Sequence, residues 1–213
     1  MALVVGTNCG FVTTAPTSDP GGMKSTRDYY ATSMKVTTTD AITITEMGWW
    51  CDNATEEANF EVGIYSHDGD NNRPLTLLKS DTTNAKGTDL GWKVVTGLDW
   101  DLSASTTYWI AFQLDNTATG TDIDLGYPIN GEAQSYDNNV SSLPATGAGY
   151  NTFTRWLVGV YAVWEEAAAG TNTQINIGDD WKEISAAQIN IGDTWKEVAG
   201  IQINIGDTWK EVF

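Results

Sequence analysis

The sequence predicts an all-β protein: a jelly-roll-like β-sandwich over residues 1–164, a linker over 165–172 and three 14-residue β-hairpin repeats over 173–213. Three observations predict it. Short apolar stretches are broken throughout by Gly, Asn, Asp and Pro, the pattern of many strands and many turns. Long runs of helix-forming residues are absent. The end of the chain repeats itself without a gap: Gln174 to Ser185 reads QINIGDDWKEIS, Gln188 to Ala199 reads QINIGDTWKEVA, and Gln202 to Phe213 reads QINIGDTWKEVF. A fixed internal period governs the reading of the whole architecture.

The strands of the first domain can be justified in order. Leu3-Val4-Val5 is apolar and reads as a first strand, and Asp19-Pro20-Gly21-Gly22 reads as a turn or loop. Between Thr37 and Met47, Ile42 and Ile44 alternate with Thr43 and Thr45, the period of a half-buried strand. Phe60, Val62 and Ile64 share one face of the next, and 67–74 reads as a polar loop. Trp92 to Val95 is a strand that Gly97 is expected to end. Tyr108, Ile110, Phe112 and Leu114 line one face of a long strand, with Trp109, Ala111 and Gln113 opposite. Residues 115–151 are rich in Asn, Asp, Gly, Thr and Ser and read as lengthened loops. Leu157 to Trp164 is apolar on both faces and is expected to be a central strand. About eight strands in this span suit a two-sheet sandwich with jelly-roll connections. Glu165 to Asn172 has small residues, a glycine and no large apolar side chain, so it reads as the linker.

Each repeat parses as a hairpin. Ile175 and Ile177 alternate with Asn176, Gly178-Asp179 supplies the turn, and Trp181 to Ile184 is the return strand. An isolated two-stranded hairpin is marginal in water. The copies must therefore stack on one another, on the rest of the chain, or on other subunits. Near-identical copies offer equivalent contacts to equivalent partners, which favours assembly between subunits. The residues expected to carry it are Ile175, Ile177, Trp181, Ile189, Ile191, Trp195, Ile203, Ile205 and Trp209, each Trp packing on the preceding Ile pair or on a partner.

Composition excludes several classes. Eleven Lys+Arg against 28 Asp+Glu give a formal charge of −17. That opposes nucleic-acid backbones and anionic lipid surfaces, so neither nucleic acid nor membrane is an expected partner. No stretch has the apolar length of a membrane helix, and the N-terminus lacks the positive region of a signal peptide. Cys9 and Cys51 are the two cysteines; a single disulfide or two buried thiols would both satisfy the sequence, the thiols being expected.

Catalytic signatures are absent. His67 is the one histidine, so a Ser-His-Asp triad would have to run through it, and its polar surroundings read as a solvated turn. Asp99 with Asp101 and Asp122 with Asp124 are acid pairs at strand spacing, which 28 acids produce by coincidence. No enzyme activity is expected, and no cofactor apart from a calcium candidate. Asp68, Asp70 and Asn72 place oxygen donors at alternating positions, as calcium loops do; an ordinary Asx-rich turn is the competing reading. Trp49 and Trp50 are adjacent, so in a strand one of them faces outward and could stack on a sugar ring; Trp100, Trp109 and the Tyr29-Tyr30 pair raise the same question. Core or interface packing is the alternative for each.

The segments Phe60 to Ser66, Arg73-Pro74, Leu77-Leu78, Gly91 to Thr96 and Leu102 to Ala111, in that order, resemble a β-sandwich module of bacteriophage virion proteins. The Gly-Asp-x-Trp-Lys-Glu-Val copies are similar to C-terminal repeats of phage structural and tail proteins. The resemblance implies a virion-surface structural protein, a capsid decoration or head-fibre subunit or a tail-fibre component, made in the host cytoplasm. It implies homo-oligomers, with a trimer expected from fibre analogy. Other virion proteins such as the major capsid protein become partners, and a host-surface glycan becomes a ligand if the chain is a receptor-binding module. A bacterial surface adhesin or filament subunit is the remaining alternative and would require export.

Overall fold

The computed structural model describes residues 3–20, 24–26, 30–51, 59–83, 89, 91–115, 121–123, 125–126, 134–138, 140–153 and 157–167, together with six short strands between 174 and 211. For 24–26, 51, 59, 82–83, 114–115, 121–123, 125–126 and those six strands the description is of the backbone. The chain divides into two units, Met1–Glu166 and Ala167–Phe213.

The first unit is all-β. Its strands are β1 (Gly10–Val12), β2 (Lys24–Thr26), β3 (Tyr30–Thr37), β4 (Ile42–Cys51), β5 (Asn59–Asp68), β6 (Arg73–Thr83), β7 (Gly91–Leu102), β8 (Thr107–Asp115), β9 (Thr121–Ile123), β10 (Leu125–Gly126), β11 (Gln134–Asn138), β12 (Asn151–Phe153), β13 (Leu157–Val158) and β14 (Val160–Glu166). A single 3₁₀ turn spans Gly147–Gly149. A four-stranded sheet runs β1-β14-β4-β7, and a six-stranded sheet runs β12-β11-β3-β8-β5-β6. Set the short additions aside and number β1, β3, β4, β5, β6, β7, β8 and β14 along the chain. The two sheets then read 1-8-3-6 and 2-7-4-5, the order of a jelly roll. There are two departures. β1 lies parallel to β14, with Gly10 opposite Tyr161, and β11 and β12 extend the second sheet beyond β3.

The sequence alternation explains the core. From the four-stranded sheet come Ile42, Ile44, Met47, Trp49, Val95, Leu98 and Val160; from the six-stranded sheet Met34, Val36, Phe60, Val62, Ile64, Tyr108, Ile110 and Phe112. These residues recur at every second position, with a step of three at the irregularity shared by β4 (Ile44 to Met47) and β7 (Val95 to Leu98), so each strand turns one row inward. A second buried cluster lies on the outer face of the six-stranded sheet. Ala31, Tyr65, Trp109 and Ala111 are covered there by Leu143 and Tyr150 of the segment between β11 and β12. Residues 140–150 thus form a strap across a face that alternation alone would leave wet.

Several boundaries differ from expectation. Leu3-Val4-Val5 contributes one bridge, Val5 to Cys9, rather than a strand, because the chain turns back at Gly6. The polar loop after β5 shrinks to 69–72, since Asp68 and Arg73 are already paired in the ladder. Gly97 does not end β7. It takes φ +76 inside an irregularity opposite Ile44 and Glu46, and the strand runs on to Leu102. Residues 115–151 hold β9, β10 and β11 rather than loops alone. Their polar composition is that of a strand with one wet face. The expected central strand is β14, flanked by β1 and β4, and Val160, Tyr161 and Ala162 are buried. It carries on through Glu165 and Glu166, which pair with Thr43 and Ile42, so those two belong to the sheet and not to the linker. Ladder hydrogen bonds accept any side chain at an exposed strand end.

In the second unit each copy carries a two-stranded antiparallel ladder: β15 (Gln174–Ile177) with β16 (Asp180–Glu183), β17 (Gln188–Ile191) with β18 (Thr194–Glu197), and β19 (Gln202–Ile205) with β20 (Thr208–Glu211). The register is the same in all three. Ile175 opposes Lys182 and Asn176 opposes Trp181, as Ile189 opposes Lys196 and Asn190 opposes Trp195. Ile203 and Lys210, then Asn204 and Trp209, complete the series.

Candidate functional site

Trp49 and Trp50 do not form an exposed sugar platform. Trp49 is on the inner row of β4, 2 % exposed, with its ring stacked on Phe112 (centroids 5.1 Å, 2° between planes) and edge-on to Phe60 at 5.6 Å. Its indole Nε1 has no hydrogen-bond partner among the described residues. Trp50 is on the outer row but is 6 % exposed, edge-on to Trp92 at 5.3 Å, which in turn meets Tyr161 at 4.9 Å. The Trp92 indole donates to the Ser18 carbonyl at 3.2 Å, drawing the N-terminal segment against this row. Neighbouring aromatics have taken the ring faces a sugar would need. Trp100 and Trp109 are also buried.

The side-chain oxygens of Asp68 and Asn72 are engaged from within the protein. Asp68 Oδ1 accepts the backbone N–H of Asp70 and of Asn71 at 3.1 and 3.2 Å. Its Oδ2 accepts from Asn71 Nδ2 at 2.8 Å and from Arg73 Nε at 3.2 Å. These bonds, the Asn71 amide first, hold the Asp68 carboxyl below its ordinary pKa. Asn72, at φ +49, accepts the Lys35 ammonium on Oδ1 at 3.1 Å. Two of the three candidate calcium ligands therefore hold protein cations, and the loop is an Asx turn. Among the described residues no group of three His, Cys, Asp or Glu converges in a metal-binding arrangement.

His67 is not a solvated turn residue. It lies in β5, and its Nδ1 accepts the indole N–H of the fully buried Trp109 at 3.1 Å. Desolvation, and then the nearby Lys35, lower its pKa. A neutral ring with its proton on Nε2 fits that bond. The strap beside it is fixed by several bonds. The Tyr65 hydroxyl donates to the Pro144 carbonyl at 2.7 Å, Gln113 Nε2 donates to the Val140 carbonyl at 3.1 Å, and the Leu143 N–H donates to the Glu61 carboxylate. Arg73 Nη1 donates to the Ala148 carbonyl at 2.9 Å. Burial raises the Tyr65, Tyr150 and Asp137 pKa values. Buried hydroxyls held in their neutral forms are suited to packing. Asp99 and Asp101 are exposed on β7, and Asp101 accepts the Thr43 hydroxyl at 2.6 Å. The side chains of Asp122 and Asp124 lie outside the described residues.

The open aromatic surface is elsewhere, on β3, β11 and β12. Tyr30, Tyr136 and Phe153 follow one another across these strands. Tyr136 and Phe153 are parallel (5.3 Å, 7°), and Tyr30 is tilted against Tyr136 at 5.6 Å. Phe153 is 40 % exposed, and the tyrosines are half-buried. The ladder register sets Asn138 opposite Tyr30 and Asn151 opposite Tyr136, on the same face. Of these residues the sequence reading had raised only Tyr30. Tyr136 falls in the 115–151 stretch read as lengthened loops, Phe153 lies just past it in a segment given no element, and the period-2 pattern of Gln134, Tyr136 and Asn138 is the available signal.

The side chains of Ile175, Ile177, Trp181, Ile189, Ile191, Trp195, Ile203, Ile205 and Trp209 lie outside the described residues, as does that of Cys51; Cys9 is fully buried. No helix among the described residues is long and apolar enough to cross a membrane. Fold and surface together define an all-β, two-sheet sandwich protein with one partly open aromatic face. No family model matches the chain, and no curated protein matches it.

Proposed function

We propose that the chain is a non-enzymatic structural protein of a bacteriophage virion surface, a capsid decoration or head-fibre subunit, that assembles through its C-terminal repeats. The observation that carries the reading is the shared register of the three ladders, which repeats one pattern of Ile and Trp at a 14-residue interval. An isolated two-stranded ladder is marginal in water, so each copy calls for a partner, and near-identical copies offer equivalent contacts to equivalent partners. The jelly-roll order and the resemblance to virion modules agree with a displayed domain, and the charge of −17 suits a crowded exterior. Homo-oligomers, with a trimer as the working state, and docking on the major capsid protein follow from the same reading.

The test is the mass in solution of the full chain and of residues 1–166, by light scattering across a concentration series. The expected result is a defined oligomer for the full chain and a monomer for the truncated one. Equal protomer counts for the two would overturn the assembly role.

A further inference from the structure

We infer that Tyr30, Tyr136 and Phe153 form a binding site for a neutral glycan, with Asn138 and Asn151 as its polar contacts. The site spans β3 and the two strands that the jelly roll does not require. β11 and β12 add a margin to the six-stranded sheet beside β3, and across these three strands the rings run side by side at 5.3 and 5.6 Å. In the sandwich interior the same face of the sheet is buried, as at Met34, Ile64, Ile110 and Phe112. Here the aromatic row keeps surface open, with Phe153 at 40 % exposure on the sheet edge.

The chemistry selects the occupant. The axial C–H groups of a pyranose make an apolar face that packs on an aromatic ring, while its hydroxyls need donors and acceptors at the rim. The row supplies both kinds of group. Its rings are bordered by two carboxamides, each with donor and acceptor ends, and by two phenol groups. The carboxamide of Asn151 makes a long bond to the Gly149 carbonyl, at 3.4 Å. A protein partner seated on the same surface would bury these amides and hydroxyls and would have to match each one. A glycan matches them with hydroxyls of its own. The charge of −17 selects against sialylated or sulfated chains, which leaves neutral hexose polymers. The site stands on the first unit alone, so it does not depend on the repeats or on any assembly they make.

The full chain is screened on an array of neutral and acidic oligosaccharides, and hits are titrated by calorimetry with Phe153→Ala, Tyr136→Ala and Asn138→Ala. Binding to at least one neutral glycan is expected, weakened tenfold or more by Phe153→Ala, with an unchanged melting midpoint for that edge variant. Asn138→Ala, which leaves the aromatic row in place, is expected to weaken binding several-fold and so covers a failure of Tyr136→Ala to fold. An array with no neutral hit, hits confined to acidic glycans, or affinities unmoved by Phe153→Ala and Asn138→Ala would each overturn the site. Concentration-dependent dimerisation abolished by Phe153→Ala, without glycan binding, would also overturn it, by identifying a second copy as the occupant.

Discussion

Trp109 and His67 are neighbours across β8 and β5, and the indole N–H of the first donates to the imidazole Nδ1 of the second at 3.1 Å. Trp109 is fully buried, so its one polar atom needs an acceptor, and His67 provides it only while that nitrogen is unprotonated. The folded chain lowers the His67 pKa, through desolvation first and then Lys35. The unfolded chain therefore takes up the proton first as pH falls. The stability that the neutral ring contributes is complete above an unfolded pKa of about 6.5 and declines as pH drops below it. Chemical denaturation between neutral and mildly acidic pH should show that decline, and His67→Gln, which keeps an acceptor without titrating, should flatten it. An identical pH slope in the variant would contradict this account.

Trp49 should tolerate phenylalanine far better than alanine. Its ring stacks on Phe112 and fills the space between the sheets, while its Nε1 bonds to nothing among the described residues. Trp49→Ala should cost about 3–5 kcal/mol through the cavity it leaves. Trp49→Phe keeps a ring in the stack and removes an unsatisfied N–H, so its loss should be clearly smaller. Urea unfolding midpoints of the two variants decide the matter.

Gly147 should not accept a side chain. A Cβ there would come within 2.0 Å of the Pro74 carbonyl oxygen, where backbone meets backbone and neither can step aside cheaply. Gly147→Ala should destabilise by about 1–3 kcal/mol. It should also loosen the strap over Tyr65 and Trp109, which limited proteolysis would register as cleavage within 140–150 in the variant but not in the parent.

Calcium should not act on the loop after β5. Asp68 is already bonded to Arg73 and Asn72 to Lys35, so a cation would have to displace two protein charges. Millimolar calcium should shift the melting midpoint no more than magnesium at equal concentration. A rise specific to calcium, lost in Asp68→Ala, would restore the loop as a metal site.

The inner rows were legible in the sequence, because Phe60, Val62, Ile64 and Tyr108, Ile110, Phe112 declare a period of two that burial then honours. The outer cluster was not. Tyr65, Trp109 and Ala111 look like the wet side of their strands, and only the distant Leu143 and Tyr150 make that side dry. Alternation says that one of Trp49 and Trp50 faces outward but not which; it is Trp50, and its cover comes from Trp92, Tyr161 and the segment holding Ser18. The aromatic face escaped for a different reason. β11 and β12 are short and polar, and strand pairing, not composition, brings Tyr136 beside Phe153. Acid pairs and the Asx loop were visible as residues, but their partners Thr43, Arg73 and Lys35 come from other strands or from beyond the turn.

The parallel pairing of β1 with β14 constrains how the chain is made. Gly10 to Val12 leave the ribosome early, yet their ladder partners Tyr161 to Val163 arrive only when the unit is almost fully synthesised. Until then β1 has no place in its sheet and Val12 no closed interior to enter. Closure of the sandwich is therefore a late, long-range event, of the kind that slows folding and leaves strand edges open to other chains while it waits. A nascent chain halted before Val160 should stay sensitive to protease at its N-terminus, and one released after Glu166 should not.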